Sequence, residues 1–388
     1  MNLFKQLLFV GFLFVAIGGS ANAALIDSFT GDYWYDWIGN QANGSYPETQ
    51  VGEMTITSNS MSLDYYASPG GASGDFGFTF TETSLDGNGY LTMQASIGPV
   101  QVVANGNYVS RISDGSGDEP IAHGWMTRKA DSPTLADIVG DYAVFRHGMR
   151  CTANGPTEEA EGVFGTAVFS TGSPDNGWSI DTTVLDSFGF HDLDATGSWT
   201  LNGTAGTVSL AGMGPEALEF KVGVGGLMTC TTIDAYNDNP ARVVLVKKGA
   251  GRTVDDVVGR YTLQGFNSNT TGNEFWSTWG TLDIFSDSTW MTTTSNSSGA
   301  DGAVATGTFT IDDDGTLNIV DSGGTTMYGA VNLDGDLLVL ESMNPNGSGE
   351  VGVMFAVRPL LVPEPSMPAL LIFSGLGGLA CRLLRRKR

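Results

Sequence analysis

Short runs of alternating apolar and polar residues recur along the chain, separated by turn sequences. Examples are residues 54–57, 76–80, 243–246 and 308–311. An alternation with a period of two places successive side chains on opposite faces of a strand, and Asn-Gly or Asp-Gly pairs join neighbouring strands through tight turns. No stretch of the body sustains the 3.6-residue period of an amphipathic helix. The pattern therefore predicts an all-β fold.

The strands follow an internal repeat. Each copy opens on a glycine two residues before a tyrosine, at Gly31 and Tyr33, Gly140 and Tyr142, and Gly259 and Tyr261. Each copy continues through a central glycine turn and a later glycine hairpin, and it closes on an apolar strand that ends in a base, at Arg128, Lys247 or Arg358. A repeat of this size indicates one structural unit per copy. We expect three domains over residues 29–130, 135–249 and 254–359, with the extra length of the second copy in residues 172–193.

Tight turns between sequential strands indicate meander connectivity, and closure into a barrel removes the two open edges of each sheet. Three tandem antiparallel barrels are therefore expected, with three β-sandwiches as the alternative. The helical turn before Gly-x-Tyr in the second and third copies resembles the Gly-x-Trp opening of lipocalin-like barrels, with tyrosine in place of tryptophan. This resemblance implies architecture only.

The strand period also predicts which aromatic side chains face the barrel interiors. Tyr33, Tyr142 and Tyr261 should point inward, with Phe145 and Phe266 close to the same cores. Trp34 and Trp37 should face opposite sides of one strand, because an odd number separates them.

The N-terminus has the organisation of a signal peptide over residues 1–23. Lys5 supplies a positive charge, residues 7–17 form a short apolar core, and Ala21-Asn22-Ala23 places small residues at the two positions that a signal peptidase recognises. The apolar run is shorter than the roughly 20 residues that span a bilayer. We expect cleavage after Ala23.

The C-terminus, residues 362–388, has three parts in order. Pro363, Glu364 and Pro365 form an extended element, because proline fixes φ and excludes helix. Residues 367–380 are apolar and uncharged, and residues 382–388 carry five positive charges. A basic cluster remains on the cytoplasmic side of a membrane. This predicts a transmembrane helix that holds the body outside the inner membrane.

This tail resembles the PEP-CTERM sorting signal of Gram-negative bacteria. The resemblance implies removal of the tail by an exosortase, a membrane cysteine protease-transferase, and export alongside exopolysaccharide. It covers only about residues 361–388. The alternative is an ordinary C-terminal anchor that is never cut. The expected location is the cell surface or the extracellular matrix after transient anchoring in the membrane.

The body is strongly acidic. Removing the signal peptide and the residues after Pro365 reduces the 18 basic residues to 12 against 42 acidic ones, a net charge of about −30. Nucleic acid is excluded as a partner, because its phosphate backbone requires a basic face. Two cysteines remain after processing, Cys151 and Cys230. In an oxidising compartment they predict one disulfide within the second copy.

Candidate catalytic and metal-binding groups are sparse. His123, His147 and His191 belong to no recognised motif, and we expect His123 and His147 at the surface or in hairpins. Asp312-Asp313-Asp314-Gly315 resembles a calcium loop but lacks its ligand register, so a hairpin turn is the favoured interpretation. We therefore predict no metal site, no cofactor and no catalytic residue.

Two functional classes remain for the body of the protein. The first is a structural or binding protein of the cell envelope or matrix, associated with exopolysaccharide. Exposed aromatic side chains could stack on sugar rings there, although barrel cores also need large residues. The second is a secreted hydrolase with an active site that the sequence does not reveal.

Overall fold

A computed structural model describes most of the chain between residues 28 and 359. The described segments are 28–40, 47–68, 73–86, 89–95, 98–114, 121–151, 157–172, 176–187, 189–212, 218–232, 240–271, 274–344 and 349–359. The predicted signal peptide, Pro363, Glu364, Pro365 and the predicted transmembrane helix lie outside these residues.

The strands form three closed antiparallel barrels of eight strands each. The first contains β1 (Gly31–Asn40), β2 (Pro47–Ile56), β3 (Ser60–Ser68), β4 (Ser73–Leu85), β5 (Tyr90–Ala95), β6 (Gly98–Ala104), β7 (Tyr108–Asp114) and β8 (Ile121–Arg128). The second contains β9 (Gly140–Cys151), β10 (Thr157–Ser170), β11 (Asn176–Asp186), β12 (Gly189–Asn202), β13 (Thr207–Ala211), β14 (Leu218–Val222), β15 (Leu227–Thr232) and β16 (Ala241–Lys247). The third contains β17 (Gly259–Ser268), β18 (Phe275–Ile284), β19 (Thr289–Asn296), β20 (Ala303–Ile311), β21 (Thr316–Asp321), β22 (Thr326–Val331), β23 (Leu337–Asn344) and β24 (Glu350–Val357).

In every barrel each strand pairs with the next one, and the last strand pairs with the first. This is the up-and-down closure that lipocalins also use. The expectation of all-β meander barrels is confirmed, and the sandwich alternative is wrong because no described strand crosses between two stacked sheets. The first strands begin at Gly31, Gly140 and Gly259, as the repeat predicts.

Two short helices precede the second and third barrels: α1 (Leu135–Ile138) and α2 (Val254–Val257). Each begins with a capping box, in which a threonine and an aspartate three residues later exchange hydrogen bonds. A single 3₁₀ turn, Val224–Gly226, joins β14 to β15. Neither α-helix among the described residues has the length and apolarity that crossing a membrane requires.

The opening glycine, the tyrosine and the closing base of each copy form one contact unit. The phenol oxygens of Tyr33, Tyr142 and Tyr261 donate to the backbone carbonyls of Phe29, Ile138 and Val257, at 2.7, 2.7 and 3.0 Å. Arg128, Lys247 and Arg358 lie over these rings at 5.4, 5.9 and 5.2 Å from the centroids. The sequence repeat therefore encodes a latch that closes each barrel beside the chain segment that enters it.

The opening glycine is required by this latch. Gly140 has φ of +141°, a conformation that residues with a Cβ rarely adopt. A Cβ there would also lie 3.1 Å from Cε of Lys247.

The hydrophobic cores lie both inside and between the barrels. Tyr33, Tyr142 and Tyr261 belong to the three interior cores, which confirms their predicted inward orientation. A further core lies where the barrels meet and draws residues from all three, among them Trp125, Val244 and Phe355. We call this region the junction. The rings of Trp125 and Phe355 stack there, with centroids 4.0 Å apart.

Three predicted aromatic positions need correction or refinement. Phe145 and Phe266 are expected close to the barrel cores, but Phe145 packs in the junction and Phe266 in a second core between barrels. Each is an odd number of residues from the inward tyrosine of its strand and so faces outward. Trp34 and Trp37 do face opposite ways, but outward Trp34 is buried, donating to the carbonyl of Val222 at 2.9 Å.

The extra residues of the second copy are distributed over its first four strands. Strands β9 to β12 contain 12, 14, 11 and 14 residues, against 10, 10, 8 and 9 in β17 to β20. The second barrel is therefore taller on this side than the third. Phe190 and Leu193 of β12 are exposed on the extended wall.

The latch generates a test of stability. Tyr142→Phe should lower the free energy of unfolding by about 1 kcal/mol, because a carbonyl of α1 loses its donor. Tyr261→Phe should cost about twice as much, because the phenol oxygen of Tyr261 also accepts from Arg358 at 2.7 Å. Urea unfolding measures both losses of stability. The control is Tyr66→Phe, at an exposed tyrosine. Equal losses at Tyr142 and Tyr66 would contradict the latch.

Candidate functional site

The predicted disulfide is not formed in this structure. Cys230 is a buried free thiol in the interior core of the second barrel. The register explains the correction: Cys230 pairs with Val243, which pairs with Arg146, and Cys151 lies five residues further along β9. Five strand residues span about 16 Å, whereas bridged cysteines have Cα atoms closer than about 7 Å.

Two of the three histidines are buried, so the expectation of surface or hairpin positions is wrong for them. His123 and His147 are 0% and 1% exposed. Both lie on outward-facing strand positions that the neighbouring barrels cover. His191 is half-exposed, and its Nδ1 lies 3.7 Å from a carboxylate oxygen of Asp186.

His123 belongs to a chain of polar side chains that crosses the junction from barrel to barrel. Arg242 Nη1 lies 2.8 Å from His123 Nδ1, and His123 Nε2 lies 2.8 Å from Ser110 Oγ. Ser110 then donates to Gln264 Oε1 at 2.6 Å. All four side chains are less than 4% exposed.

The Ser110–His123 contact has the distance of a nucleophile–base pair but the wrong protonation. A guanidinium only donates, so His123 Nδ1 must accept from Arg242. His123 Nε2 then carries the hydrogen and donates to Ser110, and it cannot remove the proton of the serine. Burial, helped by Arg242, holds the pKa of His123 well below its ordinary value. This cluster is structural.

Asp36 is the carboxyl group of the cluster. Its two carboxylate oxygens accept from Thr229 and Thr231 at 2.7 and 2.8 Å, and Arg242 donates to its backbone carbonyl at 3.1 Å. Burial raises the pKa of Asp36, whereas Arg242 and the two hydroxyls oppose that shift. The threonines and arginine come from the second barrel and Asp36 comes from the first, so these bonds fasten the two barrels together.

Glu341 is a second buried carboxyl, on the outward face of β23. It is 0% exposed, and neither of its carboxyl oxygens has a hydrogen-bond partner among the described residues. A Cβ at Gly162 of the second barrel would lie 2.6 Å from Oε1 of Glu341, so a glycine makes room for this carboxyl. Burial raises the pKa of Glu341 well above its ordinary value, with a weaker opposing effect of Arg146. Burial therefore favours the protonated form of this carboxyl.

The third barrel contains a cavity of about 920 Å³, which we call the calyx. Its inner part is apolar and is lined by Leu263, Leu282, Trp290, Leu340 and Met354. Towards the open end the wall carries Asn, Thr and Ser side chains together with the half-buried ring of Trp276. Exposed Glu274 and Ser298 lie at the rim. This arrangement of an apolar floor, an aromatic face and hydrogen-bonding groups is typical of small-molecule sites.

The sequence explains why this barrel is hollow. The inward positions of its strands include five glycines that contribute no side chain, at Gly265, Gly280, Gly307, Gly329 and Gly352. Threonine, serine and alanine occupy many of the other inward positions beside the cavity. The cavity follows from this choice of small residues, which a strand assignment with a period of two could have revealed.

Asp312–Gly315 forms the hairpin turn between β20 and β21. Gly315 donates its backbone N–H to the carbonyl of Asp312 at 2.9 Å, and Asp312 donates to that of Thr316 at the same distance. The turn interpretation is confirmed. Within the described segments, no group of three or more His, Cys, Asp or Glu side chains is arranged to hold a metal ion.

Comparisons with known proteins give weak similarities. No family model and no curated protein matches the chain. A solved structure of a DUF3598-family protein of unknown function from Nostoc punctiforme is 11% identical, covers 59% of this chain and 98% of its own, and has a TM-score of 0.22. A transferrin binding protein B mutant from Haemophilus parasuis is 11% identical over 84% of this chain and 75% of its own, with a TM-score of 0.24. Intact Ap-TbpB is 10% identical with the same coverage and TM-score. Similarities of this size leave the function to be argued from the residues of this chain.

Glu341 generates a prediction about pH. Below about pH 4.5 its carboxyl is protonated in both folded and unfolded chains. As the pH rises, only the unfolded chain ionises, so the wild type loses up to about 1.4 kcal/mol of stability per pH unit until the raised pKa is reached. Glu341→Gln lacks this proton, and its free energy of unfolding relative to the wild type should increase from pH 4.5 upward.

Urea unfolding between pH 4 and 8 measures this difference. Asp75→Asn, at an exposed position of the first barrel, is the control for removing one charge. If the free energies of unfolding of Glu341→Gln and the wild type differed by the same amount at every pH, Glu341 would ionise normally in the fold.

Proposed function

We propose that this chain is an exported binding protein of the cell surface or extracellular matrix, and that the calyx of the third barrel is its ligand site. The calyx is the observation that carries the proposal. It joins a cavity large enough for two or three sugar rings to an aromatic face and a hydrogen-bonding wall.

The polar groups at the junction support a binding role over a catalytic one. The Ser110–His123 pair is fixed in a tautomer that cannot activate the serine, and neither residue lines the calyx. A secreted hydrolase remains the alternative function, but no described constellation favours it.

The calyx favours a hydroxylated ligand. The ring of Trp276 offers a flat apolar face, and Thr278, Thr294, Asn296 and Asn344 line the same cavity with hydroxyl and amide groups. A pyranose ring presents apolar C–H faces and a hydroxyl rim, so it complements both kinds of surface. A matrix polysaccharide is accordingly the proposed partner.

The export route is proposed from the ends of the sequence. Residues 1–23 direct the chain to a signal peptidase, and Pro363-Glu364-Pro365 with the apolar and basic segments after it directs an exosortase. A net charge of about −30 on the processed body supports solubility outside the cell.

The sorting proposal predicts the termini of the mature protein. Mass spectrometry of protein purified from the native host should find an N-terminus at Ala24 and no peptide beyond about Ser366. Replacing Pro363, Glu364 and Pro365 by alanine should leave the tail attached and the protein in the membrane fraction. An intact Arg388 terminus on the wild-type protein would contradict exosortase processing, whatever the calyx binds.

The binding proposal predicts an effect at Trp276. Trp276→Ala should weaken binding of oligosaccharide fragments of the matrix by about tenfold, because the stacking face is lost. Isothermal calorimetry on the secreted protein measures this. The control is Phe190→Ala, which removes an exposed ring from the second barrel. Equal affinity of Trp276→Ala and the wild type would exclude the calyx as the binding site.

A further inference from the structure

The charges that line the calyx restrict the chemical class of its ligand. This inference rests on the proposed function of the calyx as a ligand site. Three carboxylates line the cavity, those of Glu274, Asp321 and Glu350, and none of the described lining residues is basic. An anionic polysaccharide would meet like charges in a partly dehydrated cavity, where such repulsion is strong. The ligand is therefore neutral or positively charged.

Glu350 distinguishes between these two possibilities. It lies at the start of β24, four residues before the inward-facing Met354 and therefore on the same face of the strand. Its side chain is half-buried in the calyx wall. No ion pair or hydrogen bond to a described residue compensates its charge. Burial raises its pKa, and no charged neighbour contributes to the shift. A carboxylate held in this way is stabilised by a cation that enters with the ligand.

The neighbours of Glu350 define the shape of the subsite. Trp276 pairs with Asn267 across β18 and β17, and Asn267 pairs with Gly352 across β17 and β24. Glu350 lies two residues before Gly352 on the same face, opposite Asn344. The backbones of Trp276 and Glu350 are thus two strands and two residues apart, about 12 Å between Cα atoms. One sugar ring stacked on Trp276 fits this interval, with a ring substituent reaching Glu350.

Asn267 lies between these two residues in the strand register. It is 1% exposed, its amide nitrogen donates to Thr278 Oγ1 at 2.9 Å, and its Oδ1 has no donor among the described residues. This oxygen is buried against Gly352, so the acceptor that the subsite offers to a ligand is the carboxylate of Glu350. An ammonium group has three donors and no acceptor, which complements a carboxylate.

We propose that the calyx binds a sugar with a free, protonated amino group, with the ring on Trp276 and the ammonium on Glu350. The ligand class is a hexosamine oligomer that is not N-acetylated. The protonated amine forms an ion pair with a partly buried carboxylate, whereas an acetamide in its place brings one neutral N–H and no positive charge.

Calorimetry with two matched trisaccharides tests this, one of glucosamine and one of N-acetylglucosamine. The wild type should bind the glucosamine trimer about tenfold or more tightly. Glu350→Gln should remove this preference, because binding of the glucosamine trimer loses its ion pair. Asp192→Asn, at an exposed position of the second barrel, removes the same charge far from the calyx and should behave like the wild type. Spermidine, an amine without a ring, should bind more weakly than the glucosamine trimer.

The outcomes separate this inference from the proposed function. Equal affinity for the two trimers, or tighter binding of the acetylated one, would overturn the amine assignment and retain the calyx as a sugar site. The amine assignment would also be overturned if spermidine bound as tightly as the glucosamine trimer. The same holds if Asp192→Asn lost as much affinity for this trimer as Glu350→Gln. Either result would show general charge attraction. No binding of either trimer by the wild type would overturn both proposals.

Discussion

The packing of three barrel walls against one another is the constraint on which the rest of the structure depends. A barrel closed in isolation exposes the outward residues of every strand, yet here the outward faces of the opening and closing strands are buried. Three residues before the closing base, Trp125, Val244 and Phe355 meet in the junction, each 0% exposed. Three residues after the inward tyrosine, the repeat places Asp36, Phe145 and Gln264, which are equally buried. The same repeat position thus serves the same packing role in each copy.

The polar residues of the junction occupy repeat positions at which another copy has an apolar residue. His123 and Arg242 stand five residues before the closing base, where the third copy has Val353, and Asp36 and Gln264 correspond to Phe145. Apolar contacts are non-directional and would tolerate several arrangements of similar barrels. The hydrogen bonds from Thr229 to Asp36 and from Ser110 to Gln264 are satisfied only when each barrel occupies its own place. Buried polar groups can set the register of an assembly in this way.

The sequence was sufficient for the properties that each repeat determines by itself, and insufficient for those that arise between repeats. The strand period and the Gly-x-Tyr opening predict the inward tyrosines and the closing bases, because these contacts lie within one copy. His123, His147 and Phe145 occupy outward positions that a single barrel would expose, so their burial depends on contacts about 100 or more residues away in the chain, such as Ser268 at 2.7 Å from His147. The disulfide expected at Cys230 fails for a related reason, because the strand register separates this residue from Cys151.

The hollow third barrel is compatible with a stable fold because its walls are anchored from outside. A cavity forfeits the dispersion contacts that a filled core provides. On β24, Glu350, Gly352 and Met354 face the calyx, while the alternating Val351, Val353 and Phe355 are buried against the other barrels. The same alternation on β17 puts Asn267 in the wall of the calyx and Phe266 and Ser268 in inter-barrel contacts. Because one period-two pattern fixes both faces, the junction holds the binding groups in place without filling the space between them.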